Sequence, residues 1–203
     1  ERALSQAGDN DTLAENLRRV STLHALSVCV VTRDEDPLLK RCLESISDVA
    51  DQIIVADIGT SEKTAAIVEN SGAVRIGLKW NGDFSAIRNA ALDRANGDWV
   101  LCMDAKEYLL AEDRKKVCQA KRITPDRGLY VGVVEEEGKS RPSQAVKMFP
   151  NRPEIRFEQP AYESVLSSIK SSGLAFHSAC FEIHREPYPD METAHNEQVY
   201  HDQ

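Results

Sequence analysis

Long apolar runs are missing from this chain. No stretch approaches the roughly 18 residues that a membrane-crossing helix needs, and no basic-then-apolar leader pattern occurs. An integral membrane segment is therefore not expected. Positive charge is also in deficit: 25 Lys and Arg against 33 Asp and Glu give a net charge of −8. That balance argues against a general nucleic-acid or anionic-membrane binder, although it does not describe any local pocket. No CxxC occurs, and the five cysteines are odd in number. Cys29 and Cys102 fall in apolar strand-like runs and Cys42 on an apolar helix face. Small buried hydrophobes are thus the expectation, not a disulfide framework, with a reducing cytoplasmic location to match. Glycine-rich Walker and dinucleotide fingerprints are absent, and so is any defensible Ser, Cys or His nucleophile–base arrangement.

What the chain does contain is ordinary globular material, 203 residues at 41% hydrophobic and 29% charged. Glu1, not methionine, stands first, as expected of a domain excised from something longer. Residues 1–24 are polar, with Leu13, Leu17 and Val20 at helical spacing and Asp11 or Thr12 available as a cap. They read as a helical extension, the end of an upstream helical module. No internal repeat or low-complexity segment follows.

From residue 25 a regular alternation begins. "ALSVCVVT" (25–32) is a continuous apolar run of strand length, the pattern of a strand covered on both faces. In "DPLLKRCLESI", Asp36 suits an N-cap, Pro37 the first helical position, and Leu39, Cys42, Leu43 and Ile46 one apolar face. "QIIVAD" (52–57) is a second strand and "SEKTAAIVENSG" a second helix closed by Gly72. "AVRIGL" (73–78) is a third strand. "DFSAIRNAALDRANG" reads as a helix ended by Gly97, and "WVLCM" (99–103) as a fourth strand. Beyond residue 110 the pattern loosens: strands are expected over 128–137, 144–150 and 176–184, and a short helix over 164–173. Such an order predicts an α/β fold with a mostly parallel sheet flanked by helices. Ligands of such folds bind at the rim of strand carboxyl ends, where Asp34, Glu35, Asp57 and Asp104 fall.

Asp57 taken alone suits a turn acid capping the next helix, or a carboxylate accepting hydrogen bonds from a base or ribose. "WNGDFSAIRNAAL" says more. Trp80, Asp83, Ser85, Arg88 and Asn89 crowd beside an apolar stripe, and Arg88 can reach a phosphate or a rim carboxylate. A surface arginine lying over the sheet is the structural alternative.

The segments "LSVCVVTRDEDPLLKRCLESI", "QIIVADIGTSEKT", "WNGDFSAIRNAALDRANGDWVLCMDAKEYL" and "KMFPNRPEIRFE" occur in order. Together they resemble bacterial family 2 glycosyltransferases, nearest the branch of lipopolysaccharide-core glucosyltransferases and bacteriocin peptide glycosyltransferases. The resemblance spans residues 25–187, leaves 188–203 as a tail, and is most specific over Trp80–Asn89. It implies a GT-A (Rossmann-like) fold with a looser acceptor-side part toward the C-terminus. It also implies inverting transfer from a nucleotide sugar, usually a UDP-sugar, to a glycan, lipid-linked or peptide acceptor. A divalent Mg or Mn ion on an Asp-x-Asp motif belongs to the same pattern. Carried over by position, Thr32, Arg33 and Glu35 would line the nucleotide pocket and Asp57 would meet the uracil or ribose. Asp104 would be the first metal acid, and His184 would stand with the metal near the diphosphate. Glu163 is the first candidate for the base that deprotonates the acceptor, and Asp83 the second.

The departures from that pattern are specific. Asp34 replaces an asparagine, Gly82 one acid of a pair, Tyr162 the histidine of a His-Glu pair, Arg185 a second histidine, and Lys106 the second metal acid. Replacing a carboxylate by an ammonium reverses the local charge. Two unit charges about 4 Å apart interact by roughly 4 kcal/mol at an effective dielectric near 20, so a divalent ion beside a lysine loses several. That is comparable to the whole of a millimolar affinity, about 4 kcal/mol. The sequence leaves three readings of position 106 open. Glu107 rotates in as a substitute ligand, Lys106 itself neutralises the diphosphate, or Lys106 faces solvent and the site is retired. In the last case the chain is a degenerate nucleotide-, glycan- or protein-binding domain rather than an enzyme.

Overall fold

The computed structural model describes residues 23–34, 36–135 and 143–186. The expected N-terminal helix, Glu35, the Asp36 side chain, the 136–142 connection and the C-terminal tail lie outside those residues. β1 (Leu26–Thr32) is buried along its whole length. Strand alternation sends Val28 and Val30 into one core and Cys29 and Val31 into another, which is why the run is continuously apolar. Parallel neighbours flank it: β2 (Gln52–Asp57) and β4 (Trp99–Asp104), with β3 (Val74–Gly77) outside β2. The first core packs α1 (Asp36–Ile46), through Leu39, Cys42, Leu43 and Ile46, and α2 (Glu62–Ser71), through Val68. The second packs α3 (Phe84–Leu92), through Ile87, Ala91 and Leu92. Helices therefore cover both faces.

The caps follow the residues that make them. Ser61 accepts the Thr64 N–H at 3.3 Å, and Gly72 closes α2 at φ 74°, a left-handed position that glycine takes without penalty. Asp83 caps α3, accepting the Ala86 N–H at 3.0 Å. α3 ends at Leu92 rather than running on to Gly97. Gly97 is needed for a different reason: its N–H donates to Ser27 Oγ at 2.9 Å, and a Cβ there would stand 2.7 Å from Ser27 N and 2.8 Å from Ala25 O.

After β4 the sheet changes character. It continues through β7 (Ser143–Pro150), antiparallel to β4, then β6 (Arg127–Glu135), β8 (Ala175–Arg185) and β5 (Glu107–Tyr108). The eight-stranded order is β3-β2-β1-β4-β7-β6-β8-β5. Four strand spacings of a flat sheet would part β4 from β5 by roughly 19 Å. The short link from Asp104 to Glu107 spans at most about 11 Å. The sheet must therefore curl back, and it does: Glu107 Oε2 accepts the Asp104 N–H at 3.0 Å. α4 (Ala111–Ala120) and α5 (Leu166–Ser171) complete the fold. β5 and α4 have no counterpart in the sequence reading. The five cysteines are free, and among the described residues no helix is long and apolar enough to cross a membrane.

Gly97→Ala should lower unfolding stability by about 1–3 kcal/mol, the usual cost of overpacking a tight contact. A reduced urea midpoint at unchanged slope is the expected observation; a wild-type midpoint would mean that the β1 contact yields freely.

Candidate functional site

Register places the strand ends side by side: Thr32 pairs with Asp57, and Val31 with Asp104. A cavity of about 860 Å³ opens at this rim. Thr32, Arg33, Arg88, Asp104, Lys106 and Glu163 all line it. Trp80 and Phe84, whose rings stand 4.5 Å apart, form an apolar part of its wall.

Arg88 holds the centre. Its Nη2 donates to Asp104 Oδ1 and its Nε to Glu163 Oε1, each at 2.7 Å. Its guanidinium lies 5.4 Å from the centre of the Phe157 ring. Burial alone would lower the arginine's pKa, but Asp104 and Glu163 outweigh it and raise it above its ordinary value. Burial likewise pushes the Asp104 carboxyl up; Arg88 and then Lys147 overcome this and hold it well below the usual carboxylate range.

The remaining polar face of α3 carries the loop that bears Glu163. Asn89 Nδ2 donates to Phe157 O at 3.0 Å and its Oδ1 accepts the Phe157 N–H at 2.9 Å. Ser85 Oγ donates to Gln159 O, and the Phe84 N–H to Pro160 O. Glu158 and Ser164 close the loop through a backbone bridge, with Gln159 (φ 74°) and Tyr162 (φ 56°) left-handed inside it. The density of polar residues in "DFSAIRN" is thus a docking surface for residues 157–163, plus one arginine reaching the cavity.

Beneath Asp104 lies a second charged cluster. Glu107 is fully buried. Lys147 Nζ donates to both its carboxylate oxygens, at 3.0 and 2.9 Å, and Arg185 Nη2 to Oε1 at 2.7 Å. Arg185 is the direct cross-strand partner of Glu107. Lys147 Nζ also stands 3.8 Å from Asp104 Oδ2. Lys147 gave no signal in the sequence reading, and Arg185 entered it only as a missing histidine. A lysine alternating into an otherwise apolar strand, "QAVKMFP", was the signal available.

Three expected site residues are placed elsewhere. Asp57 is fully buried, and its Oδ2 receives Arg75 Nε at 2.8 Å and Nη2 at 2.7 Å, while Oδ1 accepts the Gly59 N–H. It supports the rim rather than lining the cavity. Asp83 is occupied as the α3 cap. His184 Nε2 stands 3.6 Å from Asp113 on α4, with its ring centre 5.6 Å from that of Tyr108. Strand alternation is the reason, because Arg185, the next residue, takes the cavity side. Asp34, at φ 58°, accepts the Thr60 and Ser61 N–H groups and ties β1 to the turn before α2.

Nor do the side chains present suit a divalent ion. Asp104 already meets Arg88 and Lys147, Glu107 is enclosed by its own cations, and position 106 carries an ammonium at the cavity wall. Among the described residues no group of three or more His, Cys, Asp or Glu side chains could hold a metal. Glu107 rotating in as a substitute ligand would abandon three donors for a buried charge.

The sequence profile described as "Glycosyl transferase family 2" matches residues 27–187. A TPR repeat-containing protein of Synechococcus elongatus is 39% identical over 147 residues, 71% of this chain and 36% of its own length. The SPbeta prophage-derived glycosyltransferase SunS of Bacillus subtilis is 29% identical over 96 residues, 46% of this chain and 23% of its own. This chain thus spans about a third or less of those relatives. Among solved structures, S. aureus TarS 1-349 in complex with UDP-GlcNAc superposes with a TM-score of 0.65 at 17% identity, covering 84% of this chain and 60% of that one. The mannosyltransferase PcManGT of Pyrobaculum calidifontis, solved with GDP-Man and Mn2+, superposes with a TM-score of 0.63 at 15% identity, covering 98% and 70%. These likenesses establish the shared GT-A fold.

Arg88→Met would strand two carboxylates at the cavity wall and should destabilise the fold by about 3–5 kcal/mol, as breaking a buried ion pair does. Asp104, with its depressed pKa, contributes stability that is full above the unfolded carboxyl value of about 3.9 and lost as pH falls below it. Asp104→Asn should accordingly flatten the acid limb of a urea-midpoint-versus-pH curve. An unchanged acid limb would show that the pair carries no linkage.

Proposed function

The chain belongs to glycosyl transferase family 2, and from that premise we propose that it moves a sugar from a nucleotide sugar of the UDP class to an acceptor, inverting the anomeric carbon. Residues 25–187 form the transferase domain, and the acceptor is a glycan, a lipid-linked molecule or a peptide. A cytoplasmic setting fits the free cysteines and the source of nucleotide sugars. One observation carries the reading: Glu163, fixed by Arg88 beside Asp104, faces the same cavity as Thr32, Arg33 and Lys106.

In the proposed reaction the Glu163 carboxylate takes the proton of the acceptor nucleophile. That nucleophile bonds to the anomeric carbon from the face opposite the leaving group. The bond from that carbon to the diphosphate oxygen breaks, and the nucleoside diphosphate departs with the electron pair. Arg88 holds Glu163 in place, and the cationic wall receives the developing charge. One oxygen of the Glu163 carboxylate is already engaged by Arg88 Nε, as in a purely structural ion pair. This favours the second reading, a domain that binds the nucleotide without transferring the sugar.

Glu163→Gln keeps an oxygen for Arg88 Nε but cannot accept the proton. Release of UDP from a UDP-sugar, with water or a lysate-derived glycan as acceptor, should fall about 10²–10³-fold. Calorimetric donor affinity should change less than about threefold. Equal UDP release by both proteins would remove Glu163 from the chemistry. Binding without release by either would favour the second reading.

A further inference from the structure

We infer that the diphosphate of the donor is held by a built-in cation cluster, with Lys106 as the contact charge and Lys147 and Arg185 behind it, in the place of a divalent ion. The inference rests on the nucleotide-sugar reading and specifies how that site recognises its ligand. Five cationic side chains line the cavity: Arg33, Arg88, Lys106, Lys147 and Arg185. Three carboxylates do so, Asp34, Asp104 and Glu163, and Glu107 lies beneath. The lining itself is positive, five against three, within a chain of net charge −8, while Glu107 and Glu135 pair with Lys147 and Arg185 outside it. A pocket of that sign in a protein of the opposite sign concentrates anions.

The cluster is also built as a frame. Lys106 sits on the turn between β4 and β5, and that turn is pinned at both residues. The Ala105 N–H donates to Val31 O at 3.0 Å, and Lys106 O accepts the Glu186 N–H at 3.0 Å. The backbone that carries Lys106 is thus fixed at the cavity edge, and a ligand has only its side chain to order. Glu107 fixes Lys147 and Arg185 beside each other, and Glu135 pairs with Arg185 from its other side. Arg185 is held on both sides, its Nη2 donating to Glu107 and its Nη1 to Glu135 Oε1 at 3.1 Å. Asp104, the acid that a metal would need, is already satisfied by Arg88. The diphosphate then meets fixed positive charge where a metal-using site would offer an ion drawn from solution.

The test is calorimetric titration of the chain with UDP and with UMP, in EDTA and in Mn2+. In EDTA, UDP should bind about tenfold or more tightly than UMP, and Mn2+ should change the UDP affinity by less than about threefold. Lys106→Ala should remove most of the UDP-over-UMP preference while leaving UMP binding within about twofold, and Lys106→Arg should restore it. Lys106→Asp should bind UDP poorly in EDTA and gain affinity when Mn2+ is added. Thermal melts of the three variants at the wild-type temperature show that the turn survives. UDP binding that requires Mn2+ in the unaltered chain overturns the clamp and leaves the transferase reading standing. So would a UDP-over-UMP preference that Lys106→Ala leaves intact. Failure to bind UDP in either condition overturns both.

Discussion

The guanidinium of Arg88 stands between Asp104 and Glu163, and the geometry of the rim depends on it. Without a cation, two carboxylates would converge on the wall of a partly enclosed cavity. At about 4 Å and an effective dielectric near 20 their repulsion would be roughly 4 kcal/mol, enough to protonate one or push the loop away. Arg88 links three parts of the chain that are distant in sequence: the end of β4, the body of α3 and the 158–164 loop. Gln159 and Tyr162 occupy left-handed backbone there, at a typical cost of about 1–3 kcal/mol each. The hydrogen bonds from Ser85 and Asn89, together with the Arg88–Glu163 pair, oppose that strain.

Much of the sheet was legible because its signals are local. The apolar runs of β1, β2 and β4 and the buried face of α1 follow from spacing alone, and Gly72 closed α2 as its position suggested. β5 and α4 were not legible, for physical reasons. β5 is two residues, one of them a glutamate, and its burial depends on Lys147 and Arg185, which are 40 and 78 positions away. α4 begins after Leu110, which makes no side-chain cap, and buries only Asp113, Val117 and Ala120. Neither a capping residue nor an apolar stripe announces it. Gly97 reads as a helix end in the sequence, because a glycine after a helical stretch looks the same whether it ends the helix or clears space for β1.

The site divides in the same way. Residues at strand ends and on the α3 face reach the cavity because position along an element fixes which rim they meet. Asp57 and His184 answer to partners that spacing cannot reveal, whereas Asp83 is held by a local cap, the Ala86 N–H three residues on. Arg75 comes from the adjacent parallel strand, where it pairs with Val55, one strand turn before the acid it binds. His184 follows the alternation of β8, a strand whose register is set by a curled sheet. Position 106 was the open question in the sequence, and the cavity wall is where its residue stands.

A lysine in place of one metal acid could be a simple loss, and the surrounding charges bear on that reading. A lost site needs no compensation, yet here a glutamate is wholly buried between a lysine and an arginine directly beneath the altered position. Two cations crowded at a cavity floor would repel each other and resist desolvation. One buried carboxylate between them removes that repulsion and still leaves the trio with a net positive charge. Lys147 and Arg185 both line the cavity alongside Lys106, with Glu135 bonded to Arg185 from the other side. Glu107 is the buried counter-ion that lets two cations share the cavity floor in the folded chain. Under the proposed clamp, such a floor would meet an anion without first having to capture an ion from solution.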